Sequence, residues 1–220
     1  MSLCPLCQQT SLSVFHQDNV RAYQRCDNCS LVSVAAAFRL SVIDERAIYD
    51  QHQNDPDDQH YRQFLARAIN PLFERIEPDV EGLDFGCGPG PTISVMAAEL
   101  GIKTHNYDLY YFNDPELLSR QYDFVTMTEV IEHVAEALPL LQTLDSLLKP
   151  GAILVVMTKR VISEAAFSTW HYKQDLTHIN FYSIETFEWI AAKFNWTLEV
   201  IGADVVFLTK PLVAEVNCYT

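Results

Sequence analysis

The sequence has no run of even three consecutive Lys or Arg residues, and its 15 basic side chains face 29 acidic ones, for a formal charge of −14. A protein that grips duplex nucleic acid gains general affinity by neutralising phosphates with Lys and Arg. This deficit therefore counts against RNA or DNA as a partner. No apolar stretch approaches the roughly 18 residues of a membrane span, so no membrane partner is expected. The start, Met1-Ser2-Leu3-Cys4-Pro5, has neither a basic segment nor an apolar one. No secretory leader is expected, and the cytoplasm is the default compartment. Nothing in the sequence bears on oligomeric state. What is present is an ordinary globular composition, 49% hydrophobic and 20% charged over 220 residues, enough for one core and a small appendage.

Four of the six cysteines stand as Cys4-Pro5-Leu6-Cys7 and Cys26-Asp27-Asn28-Cys29, two C-x2-C knuckles eighteen residues apart. That spacing suits four thiolates around one tetrahedral zinc. A disulfide pair is the alternative, disfavoured without an export signal. Four sulfurs would fill every coordination position, so such a zinc would be structural. Cys87 and Cys218 are not read as ligands.

The chain divides into three parts: a zinc ribbon over 1–40, a helical linker over 41–79, and an α/β domain over 80–220. In the linker, Tyr61, Phe64, Leu65, Ala68, Ile69 and Leu72 recur at three- and four-residue spacing, as one buried helical face requires. Beyond residue 80, strands and helices alternate. Strands are expected at Val80–Phe85, Lys103–Tyr107, Asp123–Met127 and Ala152–Met157, with a closing pair at Thr197–Ile201 and Val205–Thr209. Helices follow at Thr92–Leu100, Ala135–Leu148 and from Ser183, where Ser183 and Thr186 offer capping oxygens. The alternation implies a Rossmann-like, doubly wound, mostly parallel sheet.

Leu83-Asp84-Phe85-Gly86-Cys87-Gly88-Pro89-Gly90 is the most informative segment. Alternate glycines let the backbone turn tightly and approach a ligand. Asp84, two residues before the first glycine, suits a cationic ligand better than a phosphate. Asp108, about twenty residues on, can accept both hydroxyls of a ribose, or serve merely as a turn residue.

Leu83 to Gly90, Asp108, Tyr122 to Val134 (Tyr-Asp-Phe-Val-Thr-Met-Thr-Glu-Val-Ile-Glu-His-Val) and Leu147-Leu148-Lys149-Pro150-Gly151-Ala152 resemble successive motifs of the class I S-adenosylmethionine-dependent methyltransferases. The resemblance implies a seven-stranded sheet with an antiparallel final hairpin. It also implies cofactor contacts from Asp84, Gly86, Gly88, Gly90 and Asp108, with Thr128 and Glu129 under the methionine part. His133 would support the cofactor pocket. One departure stands out: only fourteen residues, Leu109 to Tyr122, separate Asp108 from the next clear strand. The family usually fits a further strand and helix there. The adenine contacts would then be rebuilt, with Tyr110, Tyr111 and Phe112 as candidates to stack on the base.

The segment Trp170 to Ser183 follows the fifth strand, where the substrate pocket of such a fold opens. It holds two histidines, His171 and His178, with pKa values suited to deprotonating an acceptor. Each has a plainer alternative; His178 in particular could simply bond a backbone carbonyl. The expected function is methyl transfer from S-adenosylmethionine to a small molecule. An RNA methyltransferase, a nucleotide-binding oxidoreductase and a non-catalytic cofactor-binding protein are the alternatives.

Overall fold

The computed structural model describes residues 3–51, 54–77 and 79–212; Cys218 lies outside them. The N-terminal part begins with three short strands, β1 (Leu12–Gln17), β2 (Ala22–Cys26) and β3 (Val32–Val34). Two helices follow, α1 (Val42–Tyr49), capped by Ser41, and α2 (Gln59–Phe73), capped by Asp58. The anticipated helical face is the buried one: Leu65, Ala68, Ile69 and Leu72 point inward.

The remainder runs β4 (Glu81–Phe85), α3 (Thr92–Ala98), β5 (Lys103–Tyr107), β6 (Tyr122–Thr128), α4 (Ala137–Leu147), β7 (Leu148–Met157), α5 (Glu164–Ser168), β8 (Asn180–Phe181), α6 (Ile184–Phe194), β9 (Thr197–Val200) and β10 (Val205–Thr209). The main sheet has the order β5-β4-β6-β7-β10-β9. Its first four strands are parallel, and β10 pairs antiparallel with both β7 and β9. Six strands, not seven, are found among the described residues. The span between Asp108 and β6 is too short for a strand and its crossover helix, and holds a single 3₁₀ turn at Pro115–Ser119. At α6, Ser183 and Thr186 form the anticipated cap reciprocally: each side-chain oxygen accepts the other's backbone N–H at 3.3 Å.

Helices cover both faces, as the buried central strands β6 and β7 demand. Leu65, Ile69 and Leu72 of α2 and Ile93 of α3 pack on Phe124, Val155, Met157 and Phe207. On the other face Leu141 and Leu144 of α4 and Phe187 and Ile190 of α6 join Leu83, Val125, Met127 and Leu154, and this core continues into Cys4, Leu6, Cys26 and Leu31.

The N-terminal strands do not form a sheet alone. β3 pairs antiparallel with β8, Val32 opposite Phe181 and Ser33 opposite Asn180. A third core of Phe15, Tyr23, Phe167, Tyr172 and Phe181 fills the space beneath. Across this junction lies Arg21, 2% exposed. Its guanidinium donates to the carbonyls of His178 at 2.9 Å, Asp175 at 3.0 Å and Leu176 at 3.2 Å, and to that of Lys173. Lys173 in turn pairs with Asp18 at 2.7 Å. Removing a buried donor leaves its acceptors unsatisfied, which is costlier than the bonds are worth. Arg21→Met should lower unfolding free energy by about 2–4 kcal/mol; chemical denaturation showing a loss well below that range would deny the clamp its structural weight.

Candidate functional site

The chain passes from β4 to β5 on one side and then returns to β6 on the other, so a crevice opens at the carboxyl ends of these strands, the usual ligand position in such sheets. The glycine loop leaves β4 here. The backbone N–H groups of Gly86 and Cys87 donate to the Tyr107 carbonyl at 2.7 and 3.2 Å, stitching the loop to the end of β5. Gly88 has φ +67°, a conformation that favours glycine, and its N–H donates to Asp108 Oδ2 at 3.1 Å. Gly90 is required for a different reason: a Cβ there would sit 1.6 Å from the carbonyl oxygen of Asn54, which lies on the loop.

Asp108 also accepts from the N–H groups of Tyr110 at 2.8 Å and Tyr111 at 3.1 Å. It is both a turn residue and a tie to the glycine loop. Its carboxylate has about four acceptor positions, so three backbone bonds leave room for one ligand hydroxyl. Tyr111 donates to Asp50 at 2.8 Å, and Tyr110 lies 6.0 Å from the Tyr49 ring. These aromatics, the candidates for the adenine, are thus already packed against α1.

Asp84 is buried, with Oδ1 accepting from Thr126 Oγ1 at 2.8 Å. Burial pushes its carboxyl up to about 7, against the pull of that hydrogen bond. Thr128 ends β6, opposite Met157. Glu129 follows with φ +52°, rare for a residue with a long side chain. The unusual backbone is fixed by its N–H to the Met157 carbonyl at 2.8 Å. Burial raises the Glu129 carboxyl, and Oε1 is buried without a hydrogen-bond partner.

The loop after β7 divides the two histidines. His171 is exposed on a 3₁₀ turn. His178 is buried, with Nδ1 at 2.8 Å from the Tyr172 carbonyl and its ring 4.6 Å from that of His133 and 4.1 Å from that of Tyr172. The Tyr172 hydroxyl donates to Glu132 Oε1 and lies 3.2 Å from both Glu129 Oε2 and Thr158 Oγ1. Sequence reasoning missed Glu132, Tyr172 and Arg21. Glu132 had a signal, since it stands three residues beyond Glu129 and next to His133. Arg21 had none.

Cys4, Cys7, Cys26 and Cys29 come together with all four sulfurs within 4.8 Å of one another, and none is in a disulfide. The Cys4–Cys29 and Cys7–Cys26 sulfur separations are 3.5 and 3.4 Å. Four thiolates on a tetrahedral ion with bonds of about 2.3 Å would be about 3.8 Å apart. A cavity of about 500 Å³ lies where this lobe meets the start of α4, lined by Leu12, Gln24, Val34, Arg39, Leu138 and Pro139; neither the glycine loop nor Asp84, Asp108 or Glu129 lines it.

A methyltransferase-domain family model matches residues 58–200. The ubiquinone biosynthesis O-methyltransferase of Parvibaculum lavamentivorans is 31% identical over 126 residues, covering 47% of this chain and 48% of that protein. This chain therefore spans about half the length of that curated relative. Among solved structures, the S-adenosylhomocysteine-bound methyltransferase of calicheamicin biosynthesis superposes with a TM-score of 0.51 at 10% identity, over 77% of this chain and 58% of that one, a likeness of fold alone. A methyltransferase of Methanosarcina mazei superposes with a TM-score of 0.46 at 14% identity, over 64% of this chain and 97% of that one.

The raised Asp84 carboxyl has a consequence for stability. Its folded value is about 7 against roughly 3.9 in an unfolded chain. The folded protein keeps a proton that the unfolded chain has lost. This contribution is complete below about pH 4 and is lost as pH rises through 7. The stability of the native protein relative to Asp84→Asn should therefore fall by about 2–4 kcal/mol between pH 4 and 8. A difference that stays flat across that range would refute the assignment.

Proposed function

The chain belongs to the methyltransferase-domain family, and we propose that it transfers a methyl group from S-adenosylmethionine to a hydroxyl oxygen of a small molecule. The observation that supports this most is the pair of buried acidic groups at the crevice. Asp84 is without a cationic partner among its described bonds, and Glu129 has a buried oxygen with none. A sulfonium with an α-ammonium group supplies the positive charge such a place needs. Bound there, this cofactor offers a methyl on a good leaving group. In the proposed arrangement Asp84, Thr128 and Glu129 face its methionine part, Gly86, Gly88 and Gly90 let the backbone approach, and Asp108 takes the ribose. The protein's task is to align the acceptor oxygen with the methyl carbon and exclude water. The oxygen's lone pair forms the new C–O bond while the C–S pair returns to sulfur.

The acceptor hydroxyl must also lose its proton. His171 and His178 are the proposed bases; burial beside Glu132 and His133 favours His178, since His171 faces solvent. A small acceptor fits the O-methyltransferase relative and the net charge of −14. The same reading divides the chain into a ribbon (1–40), a linker (41–79) and a catalytic domain (80–220). It assigns one structural zinc to Cys4, Cys7, Cys26 and Cys29, in keeping with a reducing cytoplasm. No helix among the described residues is long and apolar enough to cross a membrane.

Calorimetric titration should show binding of S-adenosylhomocysteine, weakened at least about tenfold in Asp108→Ala by loss of its hydrogen bonds to ligand and loop. Binding of NAD with no response to S-adenosyl compounds would instead favour the oxidoreductase. Elemental analysis of protein purified without chelator should give about one zinc per chain. Metal-free protein with disulfides in its mass spectrum would reverse the zinc assignment.

A further inference from the structure

We propose that the cavity between the cysteine-bearing lobe and the start of α4 is a second ligand site, separate from the crevice. It binds a small organic molecule with one carboxylate, held by Arg39, and an adjacent amide or hydroxyl, held by Gln24 and Ser33. The cavity holds about 500 Å³, within the roughly 300–1,000 Å³ usual for small-molecule pockets.

The first observation is a row of polar side chains. Register places Gln24 of β2 opposite Ser33 of β3, and Ser33 opposite Asn180 of β8. Residues paired across neighbouring strands share a face of the sheet. Their chain neighbours Tyr23, Val32 and Phe181 belong to the apolar core on the other face. Gln24 and Ser33 both line the cavity. Ser33 is 4% exposed, yet its hydroxyl has no hydrogen bond among the described residues, and neither has the Gln24 side-chain amide. Asn180 is next in the row though not on the cavity. Its Nδ2 donates to the Val134 carbonyl at 2.6 Å, and its Oδ1 is buried without a partner. Buried polar groups are normally paired, so this row is unfinished without a polar ligand.

The second observation is Arg39, half-buried on the same cavity. Its Nε donates to the Val34 carbonyl at 3.2 Å, while Nη1 and Nη2 have no hydrogen bond or ion pair among the described residues. Burial pushes its pKa down, and no carboxylate offsets the effect; a guanidinium nonetheless stays charged. In a chain with 29 acidic side chains against 15 basic ones, an arginine left without a carboxylate in a concave place is matched to an anion from outside. Its planar fork can hold a carboxylate by two parallel hydrogen bonds. Gln8 is not available in the same way, since its Nε2 already donates to the carbonyls of Cys4 and Pro5. Glu136, the other charged residue on the cavity, is exposed. It would repel a second acidic group, which limits the ligand to one carboxylate. Leu12, Leu138 and Pro139 offer apolar surface to the rest of the molecule.

The probe is N-acetylleucine, which combines one carboxylate, one amide and an apolar side chain. Titrated into the native protein and followed by methyl resonances, it should shift those of Leu12 and Leu138 saturably, with half-saturation at about millimolar concentration or below. The neutral N-acetylleucinamide should bind at least about tenfold more weakly, and so should N-acetylleucine to Arg39→Met. Isocaproate, which lacks the amide, and Ser33→Ala should each lose about 2–10-fold. Arg120→Met, at an exposed arginine off the cavity, should change nothing. If the cavity variants do not fold, the three compounds on the native protein still decide. Absence of saturation well above millimolar concentration, equal affinity for the carboxamide, variants that bind as the native protein does, or shifts confined to other residues would each overturn the site. None of these results touches the methyl-transfer reading, which S-adenosylhomocysteine binding tests separately.

Discussion

The buried guanidinium of Arg21 is the constraint on which the arrangement of the site depends. Residues 173–178 form a loop in which Lys173, Thr177 and His178 are buried and Gln174 and Leu176 exposed, and the carbonyls of Lys173, Asp175, Leu176 and His178 find a donor in this one side chain. Buried carbonyls are paired almost without exception in folded proteins, and a planar fork of five N–H donors can serve several at once. The loop has this shape because Arg21 is there to complete it. Arg21 is itself set by the turn between β1 and β2, where Asp18 accepts its backbone N–H at 2.8 Å. The cysteine-bearing lobe thus has a role beyond its own stability: through Arg21 it holds Tyr172 and His178 against the carboxyls that follow β6.

Those carboxyls define the chemistry of the crevice. Asp84, Glu129 and Glu132 are all raised by burial, and the charge of Glu129 raises Glu132 further. Three acidic groups in one low-dielectric place are unfavourable as anions unless positive charge arrives; among the described residues none of the three forms an ion pair with a Lys or Arg, though Lys159 and Arg67 pull Glu129 down from farther off. The first two stand at the ends of adjacent strands around the glycine loop, and the third faces the histidines. A cationic cofactor at the crevice would meet part of this demand. The Tyr172 hydroxyl is bonded to both glutamates.

Much of this was legible in the sequence, for physical reasons that differ by element. Strand β7 ends in an apolar run that follows a Pro-Gly turn, the cysteine pairs have a spacing that lets four sulfurs meet, and the Ser183 cap depends on atoms three residues apart. Such features are local, so their geometry is written in their spacing. The lack of a seventh strand among the described residues was foreshadowed by the fourteen residues available for it, though the family pattern implied otherwise. What could not be read are the long-range contacts. β8 is two residues long, too short to announce itself, and exists because β3 offers an edge. Arg21 stands in a polar turn like any surface arginine. Asn54 lies in a polar break, and nothing there tells that its carbonyl rests on Gly90.

The same contrast explains helix α1. It has no buried residue, and Val42 and Ile43 are exposed, so the hydrophobic effect contributes little to holding it. Its described contacts run instead to the site: Tyr49 to the rings of Tyr110 and His133, Asp50 to the Tyr111 hydroxyl, and Arg46 over the Tyr110 ring. Asn54, a few residues on, rests on the glycine loop. An eight-residue helix is not stable in water by itself, so α1 owes its place to the residues around Asp108 and His133. Its local stability is therefore tied to their geometry, and a ligand that repositions Asp108 or His133 must alter the hold on α1 as well. The linker joins the two lobes in sequence and, through these polar and aromatic contacts, also touches both halves of the site.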